Sequence, residues 1–86
     1  MIADDHQMFI DGVRSLLRKD KRFVFVKEAL NGEEAFGFIS SNPVDLLITD
    51  ISMPGMSGTE LTKRTKQQFP DVKVLVLTMF KDRAII

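Results

Sequence analysis

The chain contains no cysteine. A disulfide framework and a thiolate metal site are therefore both excluded, and the composition suits a cytoplasmic protein. An excess of charge of one sign is also missing, since twelve Lys and Arg side chains balance twelve Asp and Glu. Without a basic excess, this segment is not expected to bind nucleic acid. No apolar run approaches the ~20 residues that span a bilayer. Met1-Ile2-Ala3 leads straight into Asp4 and Asp5, unlike the start of a secretory signal, so none is expected. Repeats, low-complexity tracts and linkers are absent. At 86 residues the chain has room for one domain, residues 1–86, burying only about 60–65% of its unfolded surface.

Short apolar runs alternate with helical patterns. Met1 to Ala3 reads as a strand stub ending at Asp4-Asp5. Over residues 6–19, Phe9, Val13, Leu16 and Leu17 form one stripe of an amphipathic helix. Residues 23–26 are rich in β-formers and predict the second strand. Asn31 with Glu34 three residues on makes a capping box. The helix behind it buries Ala35, Phe38 and Ile39, and Asn42-Pro43 ends it. Residues 44–49 predict a third strand, whose successive Leu46, Leu47 and Ile48 suit a parallel sheet covered on both faces. Ser57 and Glu60 make a second capping box for a helix reaching about Phe69. Residues 72–78 predict a fourth strand, and Asp82 caps the start of a further helix. The order β-α-β-α-β-α-β requires helical crossovers and predicts a three-layer α/β sandwich.

The polar residues fall at strand ends. Strand one ends at Asp4 and Asp5, strand three at Asp50 and strand four at Thr78, and ligands of such folds bind beyond the carboxyl ends of the strands. Carboxylates gathered there repel one another unless a cation intervenes. Hard oxygen donors favour Mg²⁺, which uses one or two carboxylates plus phosphate oxygens. Such a site suits phosphoryl transfer to a carboxylate, with a threonine hydroxyl donating to the transferred group. Taken singly, each residue has a plainer reading: Asp4 or Asp5 as a cap of the first helix, Thr78 as a strand-end hydroxyl. The combination at separate strand ends is what points to shared chemistry.

These residues carry a family resemblance. Ile2-Ala3-Asp4-Asp5-His6, followed by Phe9 and Gly12-Val13-Arg14, resembles the first strand and helix of response-regulator receiver domains of two-component signalling. Leu46-Leu47-Ile48-Thr49-Asp50-Ile51-Ser52-Met53-Pro54-Gly55-Met56-Ser57-Gly58 resembles their phosphoacceptor segment, and Val74-Leu75-Val76-Leu77-Thr78 their fourth strand. The resemblance implies a flavodoxin-like, doubly wound sheet of order 2-1-3-4, with the family's fifth strand and fifth helix missing. It implies that Asp50 accepts a phosphoryl group from a sensor histidine kinase. Asp5, Asp50 and the backbone carbonyl of Ser52 would hold Mg²⁺, with Asp4 helping through water, and Thr78 would be the switch hydroxyl. Met79 and Ser52 would influence phosphate lifetime, while Pro54 and Gly55 shape the loop. His6 matches a common but non-catalytic position. The Asp-Asp-His start resembles the subfamily with a C-terminal helix-turn-helix domain, which implies a cytoplasmic transcription regulator as the parent.

Two departures carry expectations of their own. The first strand is shorter than the family's. The family's lysine that pairs with the phosphoryl group has no counterpart, since Lys81 follows strand four and reads as a loop residue; metal binding is then expected to weaken and switching to suffer. Strand four becomes a sheet edge, a template for pairing with another chain. A homodimer or domain-swapped oligomer through strand four and residues 82–86 is expected. Two other functions compete. An aspartyl-phosphate hydrolase would place a second acid two positions after Asp50, where Ser52 stands. A folded interaction module that is never phosphorylated is the alternative for this segment.

Overall fold

Continuous apolar runs such as Leu46 to Ile48 are stable only where both faces of a strand are covered, and the architecture supplies that cover. The computed structural model describes residues 1–77. Thr78, Met79, Lys81 and residues 82–86, for which roles were expected, lie outside the described residues. In chain order the elements are β1 (Ile2–Ala3), α1 (Gln7–Leu17), β2 (Glu28–Ala29), α2 (Gly32–Ser41), β3 (Leu46–Asp50), α3 (Gly58–Gln68) and β4 (Lys73–Leu77). The sheet order is β2-β1-β3-β4, and every pairing is parallel.

Right-handed crossovers dictate which face each helix takes. The step from β1 to β2 runs one way across the sheet, and the steps to β3 and β4 run the other way. The core divides accordingly. Ile10 of α1 packs with Ile2 and Ile48, flanked by Val13, Leu17 and Leu77. On the opposite face Ala35 and Ile39 of α2 and Leu61 of α3 pack with Ala3, Ala29 and Leu47. Neighbouring strand residues alternate between the two clusters, Ile2 to one and Ala3 to the other, as a period of two requires. This is the three-layer arrangement expected from the sequence.

Three expectations need correction. The second strand is not residues 23–26 but Glu28–Ala29. The register pairs Ile2 with Glu28 and Ala3 with Ala29, so the ladder to β1 takes in Glu28 and Ala29 and not residues 23–26. Strand propensity without a ladder partner does not make a strand. Val24 stays 79% exposed, and residues 23–26 instead line one side of a cleft of about 480 Å³ whose other side is residues 43–46. The stripe of α1 is also shifted: Ile10 is its fully buried residue, whereas Leu16 is 83% exposed. Finally, the capping boxes are only half formed. Asn31 Oδ1 accepts from the Glu34 N–H at 2.7 Å and Ser57 Oγ from the Glu60 N–H at 3.1 Å. The return bonds go elsewhere: Glu34 accepts from the Leu30 N–H, one residue before the cap, and Glu60 pairs with Arg64.

Candidate functional site

Register brings the acidic residues together. Ala3 pairs with Thr49 across β1 and β3, so Asp4 and Asp50 emerge side by side at the carboxyl edge of the two central strands. Asp4 is fully buried and Asp50 nearly so, at 6% exposure. Asp5 and His6 follow directly, at the entry to α1. One ligand atom from each of Asp4, Asp5, His6 and Asp50 lies within 4.8 Å of all the others. Burial pushes the Asp50 carboxyl above its usual value; the Ile51 N–H opposes that shift, and the charges of Asp4 and Asp5 add to it. His6 is raised as well, chiefly by its hydrogen bond to Asp4 and then by the charge of Asp5. Its Nδ1 lies 3.0 Å from Asp4 Oδ1 and 3.0 Å from Asp5 Oδ1.

Asp4 does two things at once. Its Oδ1 accepts from the His6 backbone N–H at 2.8 Å, which turns the chain into α1. The bond closes a turn ahead of the helix; the N-cap itself is His6, which makes no side-chain cap, so the capping role expected of Asp4 or Asp5 is not taken. Its Oδ2 is buried with no hydrogen-bond partner among the described residues. A buried carboxylate oxygen without a donor is costly unless a cation supplies the missing interaction. The donors are mostly hard oxygens from a buried pair plus Asp5. The residues present therefore fit a hard divalent cation such as Mg²⁺.

The chain leaving β3 is tied tightly. Thr49 Oγ1 donates to the Asp50 carbonyl at 3.0 Å, and the Ile51 N–H donates to Asp50 Oδ1 at 2.8 Å. The Gly58 N–H donates to the Ile51 carbonyl at 2.7 Å. A Cβ on Gly58 would lie 1.7 Å from the Asp50 carbonyl oxygen, so only glycine lets α3 start against the strand end. Between them Ser52 is exposed and Met53 is buried. Gly55 turns the chain with φ of +73°, a conformation that favours glycine. The Met56 N–H then donates to Glu33 Oε2 at 3.0 Å.

Of the residues singled out in the sequence, the structure brings Asp4, Asp5 and Asp50 together and places Ser52 two residues past Asp50. Thr78 lies outside the described residues. His6 was read as a bystander yet sits within the cluster; its position directly after two strand-end aspartates was the available signal. Glu33 and Gly58 carried no signal by themselves, because their contacts join elements far apart in sequence. At the opposite end of α1 the charge reverses: Arg14, Arg18, Lys19, Lys21 and Arg22 stand against Asp20 and, from β2, Glu28. Arg14 pairs with Glu28 and Arg22 with Asp20. Among the described residues, no helix is long and apolar enough to cross a membrane.

A parallel sheet in this order, with buried aspartates at adjacent strand ends, is the setting of a receiver. The family model for the response regulator receiver domain matches residues 1–86, and the chain belongs to that family. The transcriptional regulatory protein DegU of Brevibacillus brevis is 37% identical over 86 residues, covering 100% of this chain and 36% of DegU. The chain thus spans just over a third of that curated relative. The isolated REC domain of RcsB from Salmonella enterica serovar Typhimurium, solved in the presence of the phosphomimetic BeF3⁻, has a TM-score of 0.86. It is 34% identical, and the match covers 98% of this chain and 63% of that one. A structure of two RcsB dimers bound to two parallel DNAs gives a TM-score of 0.85 at 34% identity, covering 98% of this chain and 43% of that one.

Proposed function

We propose that residues 1–86 act as the phospho-accepting receiver module of a cytoplasmic two-component response regulator. In this reading Asp50 takes a phosphoryl group from a sensor histidine kinase. The observation that carries it is the buried Asp50 carboxylate beside Asp4 and Asp5, with Asp4 Oδ2 lacking a donor among the described residues. Asp50 Oδ1 is engaged by the Ile51 N–H, which leaves Oδ2 as the attacking oxygen. A new P–O bond forms there as the bond from phosphorus to the donor atom breaks, and the electron pair leaves with the donor. The carboxylate reacts in its ionised form, so no base is needed. Asp5, Asp50 and the Ser52 carbonyl would hold Mg²⁺, with Asp4 acting through water. When bound, the ion offsets the negative charge of carboxylates and phosphoryl oxygens. Thr78 is proposed as the switch hydroxyl. The module is not an enzyme in the ordinary sense, since it would modify only itself.

The RcsB receiver, solved in the presence of the phosphomimetic BeF3⁻, supports this reading, and the name of DegU supports a transcription regulator as parent. The test is incubation with Mg²⁺ and acetyl phosphate, followed by intact-mass measurement. The native chain is expected to gain one phosphoryl group, and Asp50→Asn to gain none. Equal labelling of both would refute Asp50 as the acceptor. A second reading, association through β4, rests on Leu75 and Val76, which remain 49% and 39% exposed. The RcsB dimers support association in general, without bearing on the surface used.

A further inference from the structure

We infer that Glu33 is a positioning residue for the loop that follows Asp50, and through that loop for the metal. The inference rests on the reading that the Ser52 carbonyl is a Mg²⁺ ligand. The first turn of α2 is built against this loop at two points. A Cβ on Gly32 would meet the Met56 carbonyl oxygen at 2.5 Å, so the two backbones are in direct contact. Glu33 Oε2 accepts from the Met56 N–H at 3.0 Å, and its carboxylate lies over Gly55, whose Cβ position is 2.8 Å from the same oxygen.

The remaining ties explain why that contact reaches Ser52. The near end of the loop is fixed by the Gly58 N–H on the Ile51 carbonyl, and its middle by the buried Met53 side chain. Ser52 lies between those two anchors. Pro54 and Gly55 follow Met53 directly in the chain, and Glu33 holds the turn they form. A carboxylate suits the task. Bonds from an N–H to an ionised acceptor are stronger than neutral ones, and a negative charge is favoured in the first turn of a helix.

Glu34 supplies an internal control. Its carboxylate points to the preceding segment, accepting from the Leu30 N–H at 3.1 Å and pairing with Lys27 at 3.1 Å. Two adjacent acids on one helical turn therefore hold different loops. A purely helix-stabilising role would be shared by both, whereas positioning of the loop belongs to Glu33 alone.

The test is Mg²⁺ titration by calorimetry, since the chain has no tryptophan, together with thermal melting of each variant. Glu33→Ala is expected to weaken Mg²⁺ binding about tenfold, the scale of losing a group that orients a ligand. It should slow labelling of Asp50 by acetyl phosphate at low Mg²⁺ and recover at saturating Mg²⁺. Glu33→Gln keeps an acceptor oxygen and is expected to restore most of the affinity. Glu34→Ala should lower the melting temperature and leave Mg²⁺ affinity unchanged. Asp5→Asn, which removes a proposed ligand, is expected to weaken Mg²⁺ binding and serves as the control for the site itself. Native affinity in Glu33→Ala, or equal weakening in Glu34→Ala, would overturn the inference while leaving the Asp5→Asn defect in place. Loss of that Asp5→Asn defect, or a native chain that does not bind Mg²⁺, would remove the site reading and this inference together.

Discussion

At the scale of single residues, Asp50 combines chemical usefulness with an energetic cost. Its carboxyl is raised above the ordinary value mainly because burial disfavours the charged form. The folded state therefore holds a proton there more tightly than the unfolded state does. The stabilisation that comes with the proton is complete below the ordinary carboxylate pKa and is lost as pH rises through the raised folded value. Near neutrality the ionised side chain works against folding. Asp50→Asn is expected to melt a few degrees higher than the native chain at neutral pH without divalent ions. The difference should shrink as pH falls toward 4, and it should narrow when Mg²⁺ binds the native chain. An unchanged melting temperature at neutral pH would contradict the burial argument. The clustering of Asp4, Asp5 and Asp50 was legible in the sequence because each closes an apolar run. His6 was less so: it directly follows two strand-end aspartates, but its place in the cluster depends on how Asp4 turns the chain toward α1.

Among the elements, two glycines separate contact from freedom. The Cβ position of Gly58 falls 1.7 Å from the Asp50 carbonyl oxygen, whereas that of Gly37, inside α2, meets nothing within 4 Å. Gly58→Ala is expected to destabilise by about 3 kcal/mol, since strand end and helix start must separate. Gly37→Ala should stabilise by about 1 kcal/mol through helix propensity alone. Chemical denaturation of both variants checks the pair of signs. The helices were largely readable from caps and breakers, because Asn31, Ser57 and Asn42-Pro43 act locally. The strand at 23–26 was misplaced because β-structure is decided by a partner. Leu16 was misassigned because Ile10, not Phe9, sets the phase of the buried stripe, and residues spaced by three and four fit both phases.

For the molecule as a whole, β4 is a sheet edge among the described residues, paired to β3 alone and carrying exposed Leu75 and Val76. Sedimentation velocity is expected to show concentration-dependent association. Val76→Lys should shift the chain toward monomer, since a charge on an edge strand opposes pairing. A native chain that stays monomeric at high concentration would count against an interface there. The opposed charges at the two ends of α1 have a separate effect. An 11-residue helix places them about 16 Å apart, which gives this nearly neutral chain a permanent dipole along that axis. Anionic donors drifting in from solution are drawn toward the arginine-rich pole, away from the aspartates they would have to reach. A donor held by a docked partner would be spared that misdirection, so the asymmetry favours delivery by contact over capture from solution.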